Sequence, residues 1–106
     1  MKNLYSMYFI TPDIPEGHIM RTGMFVENED DMAVLYRSVL DMFEGAIEIE
    51  KGTGELFDYE AIPFDIFVKK FHEVLSKDYS MAPVVDFRNC KGTKRYTFGV
   101  IRFPGV

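Results

Sequence analysis

Apolar and polar residues alternate from Leu4 to Thr11, with Leu4, Tyr8 and Ile10 on one side and Tyr5, Met7 and Phe9 on the other. Period two is the spacing of a strand. Apolar residues on both sides describe a central strand, either covered on both faces or using one face for binding. Residues 12–17, rich in Pro and Gly, read as a loop. His18 to Val26 reads as a second strand, with Gly23 as a site for a bulge. At Met32 the period changes. Met32, Leu35, Tyr36, Val39, Leu40 and Phe43 keep the i, i+3, i+4 spacing of one helical stripe. Gly45 suits the position just beyond that helix. Alternation then returns, with Ile47 and Ile49 facing one way and Glu48 and Glu50 the other. A turn at Lys51-Gly52-Thr53-Gly54 leads to a partner strand over Glu55 to Glu60. Pro63 fits the first turn of a second helix, whose stripe is Phe64, Phe67, Val68, Phe71 and Leu75. Pro83 to Asn89 and Lys94 to Phe103 form a last hairpin around Cys90-Lys91-Gly92-Thr93.

The predicted order is β-β-α-β-β-α-β-β, which is the α+β class. The expectation is a mostly antiparallel sheet of about four to six strands with two amphipathic helices packed on one face. The run from the second strand onward contains β-α-β-β-α-β, so a core similar to the ferredoxin-like fold fits within it. The 106 residues make one domain, 1–106.

Composition agrees with a packed domain. The chain is 47% hydrophobic and carries ten Phe and six Tyr, whereas disordered chains are poor in both kinds of residue. Above roughly 70–80 residues a core no longer needs disulfides or metals as staples. Cys90 is the one cysteine, so no intrachain disulfide forms and a reducing, cytoplasmic setting is expected. The N-terminal stretch lacks the uniform apolar run and small-residue cleavage site of a signal peptide. No run approaches the roughly 18 apolar residues of a membrane span, so no membrane partner is expected.

Charge changes the picture more. The net charge is −5, but residues 13–60 hold 13 acids against three bases, and residues 61–106 hold four acids against eight bases. Glu27, Glu29, Asp30 and Asp31 cluster where the first helix begins. Asn28 or Asp30 can cap its first turn, and acids there meet the positive end of the helix dipole. Capping does not account for Asp41, Glu44 and Glu48, and a helix ending near Gly45 puts Asp41 and Glu44 at the unfavourable end.

Several chemistries fail on spacing. No C-x-x-C, H-x-x-x-H or H-E-x-x-H pattern joins His18, His72 and Cys90 to a metal. Glu27, Glu29 and Asp31 alternate as calcium ligands do, but Met32 and Ser38 stand where a calcium loop needs Gly and Glu. Bases around Cys90 would lower its thiol pKa, yet no orienting acid accompanies a Cys–His pair. Solvated acids do not supply the raised pKa of a glycosidase pair. The strings KGTG and KGTK are too short to cradle a phosphate chain. No metal, cofactor or catalytic residue is assigned, and the chain is expected not to be an enzyme.

Three functions remain. The leading one is a non-enzymatic protein-binding module that meets a basic protein through an acidic face built from Glu27, Glu29, Asp30, Asp31, Asp41, Glu44, Glu48, Glu50, Asp58 and Glu60. Such a face attracts cationic surfaces. Small phage and mobile-element inhibitors use a comparable device against nucleic-acid-handling enzymes. The alternative is single-stranded nucleic-acid binding through the basic, aromatic hairpin 91–103, with Lys91, Lys94, Arg95, Tyr96, Phe98 and Arg102 as contacts. Phe98 to Phe103 partly matches the RNP1 string of RNA-recognition motifs. Thr97 replaces its leading Gly, Val100 replaces a stacking aromatic, and the string lies on the last strand. That reading needs exposed aromatics there. The third is a small-ligand regulatory domain with a cleft between sheet and helices.

Overall fold

The computed structural model describes residues 3–51, 60–88 and 95–104, with the side chains of 47–51 and 87–88 left aside. Strand β1 (Leu4–Thr11) turns at Pro12 and Asp13 into β2 (Ile14–Phe25). Helix α1 (Glu29–Lys51) and helix α2 (Phe64–Val74) follow, then β3 (Met81–Arg88) and β4 (Arg95–Phe103). The class is α+β. Among the described residues the sheet has four strands in the order β2-β1-β4-β3, and their pairings are antiparallel.

The first hairpin is longer than its sequence pattern implies. Thr11 pairs with Ile14, so the expected loop shrinks to a two-residue turn. Pro15 and Gly17 enter β2 itself, which an edge strand tolerates because one side of it donates no ladder bonds. Gly17 takes a φ of 86°. Between Ile19 and Gly23, β2 spends three residues opposite Met7 alone, a bulge beside the expected Gly23. The Ser6 hydroxyl lies 2.8 Å from the Met20 carbonyl oxygen and 2.9 Å from that of Thr22, occupying acceptors that the bulge takes out of the ladder.

The main correction concerns residues 46–51. They continue α1 and form no strand, and Gly45 lies inside the helix. Gly45 does not have the positive φ that a helix-ending glycine adopts. Once a helix is nucleated, each added residue gains a backbone hydrogen bond, and four alternating residues do not outweigh that. The expected partner strand at 55–60 lies outside the described residues except for Glu60, which is irregular. Among the described residues no strand separates the two helices, so a ferredoxin-like order does not arise from them.

Both helices pack on one face of the sheet. Met32, Leu35, Val39 and Phe43 of α1 and Phe67 and Phe71 of α2 meet Tyr5, Val85, Phe98 and Val100 from the strands. Ring pairs tie the helices to the sheet, Tyr5–Phe71 at 4.6 Å and Phe43–Phe98 at 5.3 Å between centroids, and to each other, Tyr36–Phe67 at 5.2 Å. Each adds about 0.5–1.5 kcal/mol beyond its burial. The Tyr36 hydroxyl donates to the Ile62 carbonyl at 2.5 Å, and the Ile62 N–H donates to Val84 at 2.9 Å. The entry to α2 is thereby fastened to α1 and to the β3 edge together.

After α2 the chain turns through Tyr79, the one non-glycine among the described residues with positive φ (64°). That conformation is about 1–2 kcal/mol unfavourable for an L-residue. It is held by the Tyr79 N–H donating to the Arg102 carbonyl at 2.6 Å and the Arg102 N–H donating to Ser80 at 3.0 Å.

Two glycines separate the helix and sheet environments. A Cβ at Gly45 would meet nothing within 4 Å, whereas one at Gly99 would stand 2.3 Å from the Ala82 carbonyl oxygen and 2.9 Å from Tyr8 Cε1. Gly45→Ala should therefore stabilise the chain by about 0.4–1 kcal/mol. Gly99→Ala should destabilise it by about 3 kcal/mol or more. Urea unfolding of the two variants checks both signs, and a loss of stability in Gly45→Ala would mean that the helix ends there.

Candidate functional site

The acidic cluster divides into two parts with different duties. The Asp31 N–H donates to Asn28 Oδ1 at 2.9 Å, and the Glu27 N–H donates to Asp31 Oδ2 at 2.9 Å. Asn28 is thus the cap of α1, and Asp31 reaches back across it as an acid does in a capping box. Glu29 and Asp30 complete an acidic first turn at the positive end of the dipole. Most of the N-terminal cluster starts the helix.

The second part lies along the side of α1 away from the sheet. Asp30, Val34, Arg37, Asp41 and Glu44 recur at alternating spacings of four and three, and all are exposed. Since α1 runs on to Lys51, Asp41 and Glu44 are mid-helix and escape the dipole penalty that an end at Gly45 would impose. Glu48 and Glu50, expected on a strand, lie in the last turns of this helix. Glu60 is exposed just before α2. Asp58 lies outside the described residues. Glu29, Asp30, Asp41 and Glu44 have no bonding partner among the described residues. Arg37 and Val34 interrupt the acidic row.

The basic, aromatic hairpin is built the other way round. Tyr96 and Phe98 are each 1% exposed and belong to the core under the helices, so in this fold neither offers a face to a base. Arg95 is bound to Asp86 through two nitrogens, at 3.1 and 2.9 Å. That hydrogen bonding raises the guanidinium pKa further. Arg102 is mostly buried. It donates to the Leu75 carbonyl at 2.9 Å and to Asn3 Oδ1 at 2.8 Å, placing a cation at the negative end of α2. Lys91, Lys94 and Cys90 lie outside the described residues.

A cavity of about 140 Å³ lies between β1, β2 and α1, lined by Tyr5, Met7, Met24, Leu35 and their neighbours. It is smaller than the roughly 300–1,000 Å³ of ordinary ligand pockets. Its two serines are engaged, Ser6 at the bulge and Ser38 through its hydroxyl donating to the Val34 carbonyl at 2.8 Å. Among the described residues no three His, Cys, Asp or Glu side chains gather where they could hold a metal ion. Among them, too, no helix is long and apolar enough to cross a membrane.

On the sheet face away from the helices, Asp86 gathers a polar group. It accepts from Thr97 Oγ1 at 2.9 Å as well as from Arg95. Burial, reinforced by the Asp86 carboxylate and opposed by Arg95, pushes the nearby Tyr8 phenol up to about 12. Burial also raises Tyr5 and Tyr36.

No protein-family model, curated protein or solved structure matches this chain.

A phenol raised on folding keeps its proton at pH values where the unfolded chain has lost it. Its contribution to stability is therefore complete below about pH 10 and disappears as the pH rises through 12. Unfolding midpoints in urea should fall across that window, and Tyr8→Phe should flatten the fall. An unchanged slope would show that Tyr8 ionises as readily folded as unfolded.

Proposed function

We propose that this chain is a non-enzymatic protein-binding module that meets a basic partner through the outer face of α1. The observation that carries the reading is the exposed row of Asp30, Asp41 and Glu44, with Glu29 beside it, none bonded among the described residues. Carboxylates committed to neighbours would have little charge left to offer. These face solvent from a rigid helix, so their field extends outward and speeds encounter with a cationic surface. A partner that normally handles nucleic acid fits this chemistry, because the spaced carboxylates present negative charge along a line as phosphates do. An inhibitor of such a protein is the finer form of the proposal. The stacking alternative draws less support, since Tyr96 and Phe98 are inside and Arg95 and Arg102 are engaged.

The test is capture of partners by the tagged chain at low and high salt, with and without nuclease. A partner held at low salt in both nuclease conditions, and released at high salt, is the expected result. The double variant Asp41→Lys with Glu44→Lys, at exposed mid-helix positions, should fold normally and slow association with that partner by about tenfold or more. An unchanged association rate would remove the acidic face from the reading. Partners held only when nucleic acid is present would return the assignment to nucleic-acid binding.

A further inference from the structure

On the sheet face away from the helices, paired residues share a side, so Leu4 lies between Phe25 and Phe103. The Tyr79 ring meets Phe103 edge-on at 6.0 Å and extends that row. Beside the row, at the β2 bulge, is a hollow of about 360 Å³, within the range of ordinary ligand pockets. Leu4, Ile19, Met20 and Phe103 give it apolar walls. Ser6, itself 3% exposed, also lines it, and Arg21 is the one charged residue that does.

We infer that this hollow binds a small amphipathic anion, with an apolar body in the hollow and one carboxylate held by Arg21. Size sets the scale. At about 30 Å³ for each water-sized group, the hollow takes roughly a dozen non-hydrogen atoms. The lining sets the body. The Ser6 hydroxyl is already engaged with the Met20 and Thr22 carbonyls. What the walls chiefly offer a ligand is therefore apolar contact, which favours a body that gains by leaving water.

Charge sets the head. No acid lines the hollow, and among the described residues no carboxylate pairs with Arg21. A guanidinium meets a carboxylate with two parallel hydrogen bonds, a geometry that a neutral or cationic head cannot use. Elsewhere on this face Asp86 and Arg95 pair with each other. Asp86 stands level with Ile10 through Thr97, roughly 20 Å along β1 from Leu4. That is beyond a Debye length of about 8 Å, so the pair contributes little field at the hollow. The acidic row of α1 lies on the other side of the sheet, and neither site needs the other.

The test is a titration of the full chain, labelled with ¹³C at the methionine methyls, with octanoate below its micelle concentration. The Met20 methyl reports on the hollow, and Met42 on α1 is the control. Octanoate should shift Met20 along a saturating curve and leave Met42 in place. The same titration with 1-octanol should give about tenfold weaker binding. Arg21→Gln should weaken octanoate about tenfold and leave 1-octanol unchanged. Ile19→Ala, at a position 43% exposed, should weaken both ligands. Thermal melting checks that each variant folds as the wild type does. Octanoate that moves no methyl overturns the inference. So do equal affinities for octanoate and 1-octanol, or octanoate binding that Arg21→Gln leaves unchanged. Shifts that grow without saturating at every methionine would mean detergent-like adsorption and overturn it as well.

Discussion

The first and last strands hold this molecule together. β1 and β4 pair without interruption from Leu4↔Phe103 to Ile10↔Thr97. On either side of that seam is a pair of strands, β2 with β1 and β3 with β4. A lone hairpin is marginal in water. Joined at the seam, the two make a sheet broad enough to cover both helices. Gly99 lies on the seam opposite Tyr8 and lets the backbone of β3 and the Tyr8 ring come close. The contacts that define the core are thus far apart along the chain. Such a fold closes long loops before its hydrophobic contacts can form, which slows folding relative to a helical bundle of the same length.

The seam also decides where each kind of chemistry ends up. It turns Tyr96, Phe98 and Val100 toward the helices, so the most nucleic-acid-like string of the sequence becomes core. It turns Tyr8, Gly99 and Ile101 to the opposite side, which they share with the Asp86–Arg95 pair. The acids, carried on the chain between the hairpins, go outward with α1. An exterior whose acids lie along α1, away from the sheet, follows from strand pairing and helix amphipathicity together.

The stripes of both helices, a cap at Asn28 or Asp30, a start of α2 near Pro63 and the approximate limits of β1, β3 and β4 were legible in the sequence, because each is a local choice with a known spacing or residue preference. The end of α1 was not. Gly45 resembles a stop signal, and Ile47 to Glu50 alternates like a strand, yet helix propagation through one exposed glycine costs only about 1 kcal/mol. The roles of Tyr96 and Phe98 were half legible. Alternation placed them together on one side of a strand, but which side the helices cover is settled by pairing between residues some 90 positions apart, and no local pattern records that. Leu4 to Thr11 is the instructive opposite. Its two apolar sides implied either double cover or a binding face, and the helices cover only one of them.

Because Leu4 pairs with Phe103 and Arg102 reaches Asn3, the two ends of the described chain lie side by side. Any segment joined to either end departs from the same corner, next to the Phe25–Phe103–Tyr79 row. A fusion joined at either end of the described residues starts beside Leu4 and Phe103. Conversely, a short bridge between Asn3 and Pro104 would give a circular chain whose new opening could be cut elsewhere without separating the strands of the seam.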